Sequence, residues 1–305
     1  MTAPDSESAS RRPSAVGVWV QAARPKTLGA AVAPVVVGTA MALEAGAFHA
    51  ASALCAALGA VLIQIGTNFS NDYLDFVKGA DRESRRGPPR ATQAGWVSVQ
   101  AMRRATILTF ALAFASGLYL IWRGGAAVLA VGLCSIASGV WYTAGRWSLA
   151  YLGLADLFVL VFFGPVAVGG TYYVQALSLN APVGVAGLAP GLLATGILLV
   201  NNLRDREEDA RAGKKTLVVR FGRGTGRWLY VGCVAGAALV PVALVGWTGD
   251  HAWALAATGA VGGGGVPLLR RLRQAAGPRA FGPLLGRTAR LLVAYSLVFS
   301  VGWNL

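Results

Sequence analysis

The sequence predicts an all-α fold: a polytopic membrane helical bundle of nine transmembrane helices. Three observations predict it. Only 13% of the 305 residues are charged and 55% belong to the hydrophobic set, against about 25% charged in an ordinary soluble domain. The mean hydropathy of +0.56 comes with 40 glycines, as expected where helices face hydrocarbon and pack closely through small residues. Finally, nine apolar segments are each long enough to cross a hydrocarbon core of about 30 Å. They are residues 27–43, 51–72, 104–122, 126–143, 149–174, 182–202, 228–247, 251–269 and 287–304. All nine should be helical, because lipid offers no partner to an unpaired backbone group.

Taken in order, residues 1–15 are polar, contain Pro and Ser, show no periodicity and are expected to be disordered. They do not read as a signal peptide, since no short apolar core with a small-residue cleavage site follows. The next stretch, VWVQAARPKTL, carries Trp19, Arg24 and Lys26 in the amphipathic pattern of a membrane interface. The rest, 16–305, reads as a single nine-helix domain. With the N-terminus in the cytoplasm, all but one of the 27 basic residues fall on the inner side, Arg123 being the exception. This parity sets the localisation as the cytoplasmic membrane, with the C-terminus external and the loops after the second and sixth helices as the main cytoplasmic structures.

Several functions are excluded by composition. A net charge of +14 would suggest nucleic acid on a soluble basic face, but here the bases are loop residues of a membrane protein, and no nucleic-acid partner is expected. Cys55, Cys134 and Cys233 sit in apolar stretches and form neither a disulfide framework nor a metal site. His49 and His251, with Glu44 and Asp250, fall in short outer loops. A zinc centre or a histidine-based nucleophile would have to be built almost without histidine. The run Gly262 to Gly265 lies in the eighth helix and reads as helix packing rather than a phosphate loop.

The polar residues gather at two helix ends. The second helix ends in QIGTNFSNDYLDFVKGADR and the sixth in LLVNNLRDREEDARAGKKT. Asn68 and Asp72 are four apart, as are Asn201, Asp205 and Asp209, so each set lies on one helix face. Positions 68 and 201, and 72 and 205, share an offset of 133, which also pairs Lys78 with Arg211 and Arg82 with Lys215. The correspondence implies a weak internal duplication relating helices 1–4 to helices 5–8. Carboxylates and carboxamides are hard oxygen donors suited to Mg2+, and the Lys and Arg beyond them would neutralise phosphate oxygens. Acids followed by bases therefore point to a metal-bridged diphosphate. Asp156 stands out as an ionisable group about two turns inside the fifth helix, expensive in a membrane and functional by default. Tyr142 closes the fourth helix as an interfacial anchor or a catalytic hydroxyl.

These motifs resemble the paired aspartate motifs of the UbiA superfamily of intramembrane prenyltransferases. WVQAARPKTLGAAVAPVVVGTA, GPPRATQAG and YLGLADLFVLVFFGPVAVGGTYYVQ resemble the branch that prenylates 1,4-dihydroxy-2-naphthoate in menaquinone synthesis. The likeness runs from about residue 18 to about 225. It implies a bundle around a central cavity holding a magnesium-bound polyprenyl diphosphate at the cytoplasmic end. Carried over residue by residue, it implies Asn68, Asp72, Asp205 and Asp209 as magnesium-site residues, supported by Asp75 and Asn201. Lys78, Arg82, Lys214 and Lys215 are the corresponding diphosphate residues. Two departures stand out: an acid at Asp81 where the longer superfamily pattern would put one at Gly79, and AGRWSLAY without the expected proline after Tyr142.

The chemistry follows on physical grounds. Magnesium and Lys/Arg on the diphosphate stabilise the charge of an ionising allylic group, and a site among membrane helices keeps water from the cation. On the naphthoate that the resemblance implies, attack at the carboxyl-bearing ring carbon expels carbon dioxide, and oxidation then gives demethylmenaquinone. A basic residue should orient the acceptor carboxylate, Arg90 first and Arg146 second, while Asp156 or Tyr142 takes the proton of a ring hydroxyl. Asp72, Asp205, Asp156 and Tyr142 are thus the expected catalytic set. The rivals are the same chemistry on 4-hydroxybenzoate or homogentisate, and a secondary transporter, whose site should lie at mid-bilayer rather than at one interface.

Overall fold

Five helices begin at a side chain that accepts from their first free amides, the sequence thus marking its own boundaries. Ser14 caps α1 (Ala15–Ala23), His49 caps α3 (Ala50–Val77) and Ser98 caps α4 (Val99–Trp141). Asn180 caps α8 (Ala181–Arg211) and Thr216 caps α9 (Leu217–Thr248). The others are α2 (Pro25–Glu44), α5 (Leu149–Leu152), α6 (Ala155–Val161), α7 (Ala167–Ala176), α10 (Leu255–Gln274) and α11 (Phe281–Trp303). The computed structural model describes residues 13–79, 90–145, 147–275 and 277–305, and no strand occurs among them. Most of the stretch expected to be disordered lies outside the described residues; Ala15 already opens α1.

Among the described residues eight helices are long and apolar enough to cross a membrane, where the sequence predicts nine. The difference lies in the 43 residues of α4. Gly125, at φ 71° and ψ −157°, is not helical. The Phe110 ring comes within 3.5 Å of where a Cβ on Gly139 would stand, although a continuous helix would separate those residues by about 43 Å. The chain therefore doubles back beside Gly125, and the spans expected at 104–122 and 126–143 are the two arms of this element.

The fifth predicted helix, 149–174, is not continuous. Gly153, at φ 76°, ends α5 in the left-handed region, and the helix restarts at Ala155. A π turn at Phe162–Val166 then accommodates Pro165, which lacks an amide, before α7. Gly187 of α8 admits this turn: a Cβ there would lie 2.7 Å from the Pro165 Cα. Asp156 accordingly stands in the first turn of α6 and not two turns inside a helix. There the positive end of the helix dipole favours its charge.

The main core lies between α2, α7, α8, α9, α10 and α11, and a smaller cluster packs Val18 and Ala22 of α1 against Phe69, Ala91 and Met102. Large side chains such as Ile107, Leu112, Leu239 and Val242 remain exposed, as they should on lipid-facing surfaces. At 28 and 31 residues, α3 and α8 reach about 42 and 46 Å, well beyond a hydrocarbon core of about 30 Å. Their final turns therefore emerge at the interface, and both acid motifs sit there.

Candidate active site

Six acids, Asp72, Asp75, Asp205, Glu207, Glu208 and Asp209, occupy the last two turns of α3 and α8, and the helix dipole disfavours negative charge in the final turn by about 0.3–1 kcal/mol each. Placement against the local preference is a mark of function. The two ends meet across one ammonium group: Lys214 Nζ is 3.7 Å from Asp75 Oδ2 and 3.5 Å from Asp209 Oδ1. Burial pulls the Lys214 pKa down, but Asp75 and Asp209 more than offset it, and the net shift is upward. Lys214 therefore stays charged.

Around this contact lies a cavity of about 470 Å³. Its acids are Asp72, Asp75, Asp205, Glu208 and Asp209. Its bases among the described residues are equally numerous: Arg24, Lys26, Arg90, Arg204 and Lys214. Asn71, Asn201 and Asn202 add carboxamides. Tyr142 forms part of the wall and also lines a second, largely apolar cavity of about 540 Å³. That cavity runs from Gln64 and Phe158 past Gly117 and Gly132 to Leu120, Tyr173 and Leu179, near the end of the bundle opposite the acids.

The predicted residues divide by what they touch. Asp72, buried, accepts from the Ala91 and Thr92 amides, both at 3.0 Å, and so holds the segment entering from the loop. Asp75 Oδ2 receives Arg90 Nη1 at 2.6 Å, and the same nitrogen donates to the Asn71 carbonyl at 2.7 Å. Arg90 is thus committed to the first acid motif. Asp205 and Asn201 are joined by Arg204: Nε reaches Asp205 Oδ1 at 2.6 Å, and Nη2 reaches Asp205 Oδ2 at 2.7 Å and Asn201 Oδ1 at 2.6 Å.

Other predicted residues turn elsewhere. Asn68 donates to the Ala23 carbonyl at 2.9 Å and to Thr27 Oγ1 at 3.0 Å, fastening the α1–α2 elbow rather than facing the cavity. Lys78 donates to the carbonyls of Thr143 and Gly145 and lies over the Tyr151 ring, 4.8 Å from its centroid. Burial is the main cause of its lowered pKa, partly offset by Asp75. Lys215 is exposed. Asp156 is buried and neither carboxylate oxygen has a hydrogen-bond partner among the described residues; its neighbour Ala155 lines the polar cavity. Arg82 and Arg146 lie outside the described residues.

Sequence reading missed Arg24, Lys26, Asn71, Asn202 and Arg204 as cavity residues. Arg24 carried a signal, since it precedes Pro25 at the end of an interfacial helix; its φ of 52° makes it one of three non-glycine residues in the left-handed region among those described, a strain of about 1–3 kcal/mol that clusters at functional sites. Arg204 carried none, because neighbours on a helix do not ordinarily face each other.

The donor set fits a hard divalent cation. The uncharged and acidic side chains on the wall offer amide, carboxylate and hydroxyl oxygens, with no histidine or cysteine among the described wall residues. No group of three or more His, Cys, Asp or Glu surrounds a single metal-sized point among those residues. The bases stand between the acids.

A helical membrane protein that joins an acid- and base-lined chamber to a long apolar one has the build of an enzyme for an amphiphile with an anionic head. Residues 31–297 match the UbiA prenyltransferase family, and the chain belongs to that family. It is 39% identical to the 1,4-dihydroxy-2-naphthoate octaprenyltransferase of Escherichia coli, over 93% of this chain and 94% of that protein. The protein of the same name from Mycobacterium tuberculosis is 42% identical over 74% of this chain and 77% of its own length. In fold the chain matches a UbiA homolog from Archaeoglobus fulgidus solved with DMAPP and Mg2+, with a TM-score of 0.63 over 93% of this chain and 99% of that one, at 16% identity. The protein is a multi-pass membrane prenyltransferase.

Proposed function

We propose that this prenyltransferase moves a polyprenyl group from its diphosphate to 1,4-dihydroxy-2-naphthoate with loss of carbon dioxide, giving demethylmenaquinone once the product quinol is oxidised. The observation that carries the reading is Tyr142, shared by the walls of the polar and apolar cavities. A polyprenyl diphosphate has one charged end and one apolar tail, and the boundary between them is the carbon that reacts. The apolar cavity suits the tail and the polar one the diphosphate. The names of the relatives supply the acceptor.

Asp72, Asp75, Asp205 and Asp209, with Asn201, would hold Mg2+, which when bound supplies neutralising charge to the leaving diphosphate. Lys214 and Arg204 would contact the diphosphate oxygens and stabilise the charge that develops as the carbon–oxygen bond breaks. Asn68 acts at one remove, by fixing the elbow that carries Arg24 and Lys26. A ring carbon of the acceptor then bonds to the allylic carbon, and the carboxylate on that ring carbon departs as carbon dioxide. Arg90 holds Asp75, so Arg24 joins it as a candidate to orient the acceptor carboxylate. Tyr142 stands where a hydroxyl hydrogen bond would meet the ring, and Asp156 lies nearby as a proton acceptor.

The test is an assay of the purified protein with one polyprenyl diphosphate and three acceptors: 1,4-dihydroxy-2-naphthoate, 4-hydroxybenzoate and homogentisate. The expected result is prenylated naphthoate with one carbon dioxide per product, abolished by excess chelator and restored by Mg2+. Prenylation of 4-hydroxybenzoate with its carboxylate retained, the naphthoate being ignored, would overturn the acceptor assignment. Full turnover in chelator would overturn the metal site.

A further inference from the structure

Asp205 and Asn201 are an acid and an amide of the second motif on the cavity wall, and one guanidinium holds three of their oxygens. Arg204 spans Asp205 Oδ1, Asp205 Oδ2 and Asn201 Oδ1 at 2.6, 2.7 and 2.6 Å. Asn201, three residues earlier, shares a helix face with Arg204, but Asp205 is adjacent and adjacent residues point in different directions, so the backbone does not impose the Asp205 contact. The arginine reaches round to it because the oxygens need a cation. Mg2+ requires oxygens at about 2.0–2.1 Å and would draw on the same atoms, so arginine and metal, both cations, compete for them. A planar guanidinium is equally suited to two oxygens of a phosphate group, and side-chain rotation alone would carry it from one partner to the other.

The remainder of the chamber is arranged the same way. Lys214 stands between Asp75 and Asp209, and Arg90 is bonded to Asp75. Acids and bases on the described wall are equal in number. A lone divalent cation entering this chamber meets resident positive charge, and a lone diphosphate meets carboxylates. Together they satisfy both sets.

We infer that Arg204 is a resident counter-cation that occupies the metal's place on Asp205 and Asn201 and is handed over to the diphosphate, so that metal and prenyl diphosphate bind together and each poorly alone. The inference rests on the metal–diphosphate reading above and adds a positioning residue and an obligatory coupling to it. By reciprocity, whatever the diphosphate adds to metal affinity the metal adds to diphosphate affinity. The site then holds no metal between turnovers, and carboxylates freed of one cation are never left bare in a partly buried chamber.

Two measurements on the purified protein in detergent separate this role from a merely structural one. Binding of Mn2+ alone is followed by the loss of its free electron-spin resonance signal, and binding of preformed magnesium pyrophosphate by calorimetry. Arg204→Ala should bind Mn2+ alone more tightly than wild type, on the order of tenfold, and should bind magnesium pyrophosphate more weakly by a similar factor. Arg204→Lys, which keeps the cation, should restore weak Mn2+ binding. Arg204→Gln serves as the second neutral variant if the alanine form does not fold. A structural arginine would weaken both ligands on removal. Unchanged or weaker Mn2+ binding in the folded neutral variants therefore overturns the inference and leaves the proposed function standing. If wild type and variants bind neither Mn2+ nor magnesium pyrophosphate, the diphosphate-site reading itself fails, and the inference with it.

Discussion

Asp72 and Asp205 hold corresponding places in the two motifs, but their surroundings give them different second tasks. Asp72 is buried and accepts from two backbone amides of the 90–92 segment, bonds to a charged acceptor that are each worth about 1.5–3 kcal/mol. Asp205 accepts instead from the side chain of the adjacent arginine. Asp205→Asn is therefore expected to lower kcat by on the order of 10²-fold with little change in thermal unfolding, whereas Asp72→Asn should lower both. Equal loss of stability in the two variants would contradict this assignment. Lys214 gives a pH prediction with a definite sign. Because its pKa is raised on balance, by Asp75 and Asp209 against the opposing effect of burial, its stabilising contribution is full below the ordinary lysine range and is lost as pH rises through the higher folded value. The difference in unfolding temperature between wild type and Lys214→Met should be constant up to about pH 9 and shrink above about pH 10.5. A difference that already shrinks near neutrality would show that the ammonium is not held by the two acids.

At the scale of elements, two glycines shape the framework around the cavities. Gly125 has a φ of 71° and a ψ of −157°, a conformation essentially restricted to glycine and costing other residues about 1–3 kcal/mol. Gly125→Ala should lose stability by that amount in reversible unfolding. Gly117→Ala, in the first arm of α4 with nothing within 4 Å of the new methyl, should gain roughly 0.5–1 kcal/mol from helix preference. Equal effects at both sites would mean that the chain does not turn at Gly125. At Gly187 the constraint is proximity, since a methyl would meet the Pro165 Cα at 2.7 Å. Gly187→Ala should cost about 1–3 kcal/mol through overpacking. It should also disturb turnover, because the same strand of irregular helix leads back through α6 to Asp156 and Ala155 at the cavity.

For the whole molecule, α1 and the end of α11 lie at opposite ends of the bundle. Trp19 of α1 stacks edge-on against Phe69 beside the first acid motif, whereas Asn304 donates to the Ala40 carbonyl near the far end of α2 and Trp303 stacks on His251. With the distribution of basic residues, the expectation is a cytoplasmic site and an external C-terminus. In a cysteine-free background, Ala210→Cys should react only with a membrane-permeant reagent on intact cells, and Leu305→Cys with an impermeant one. Labelling of both from the same side would exclude an odd number of crossings.

Apolar length and the lateral placement of Lys and Arg determined from sequence alone that the chain is a helical membrane protein and which loops flank the site, because lipid imposes both without reference to neighbouring helices. The paired motifs were equally legible, since oxygen donors four residues apart must share a helix face. What each polar group does was decided only by tertiary structure. Asn68 fastens an elbow 41 residues away in sequence, Lys78 ties the 143–145 turn, and Asp156 begins a helix that the hydrophobic pattern made continuous. Arg204, unremarkable in sequence, holds the second motif together. The physical reason is that hydrophobic periodicity reports the average environment of a segment, while an ion pair or a hydrogen bond depends on one atom meeting another across the bundle, and no local pattern encodes that meeting.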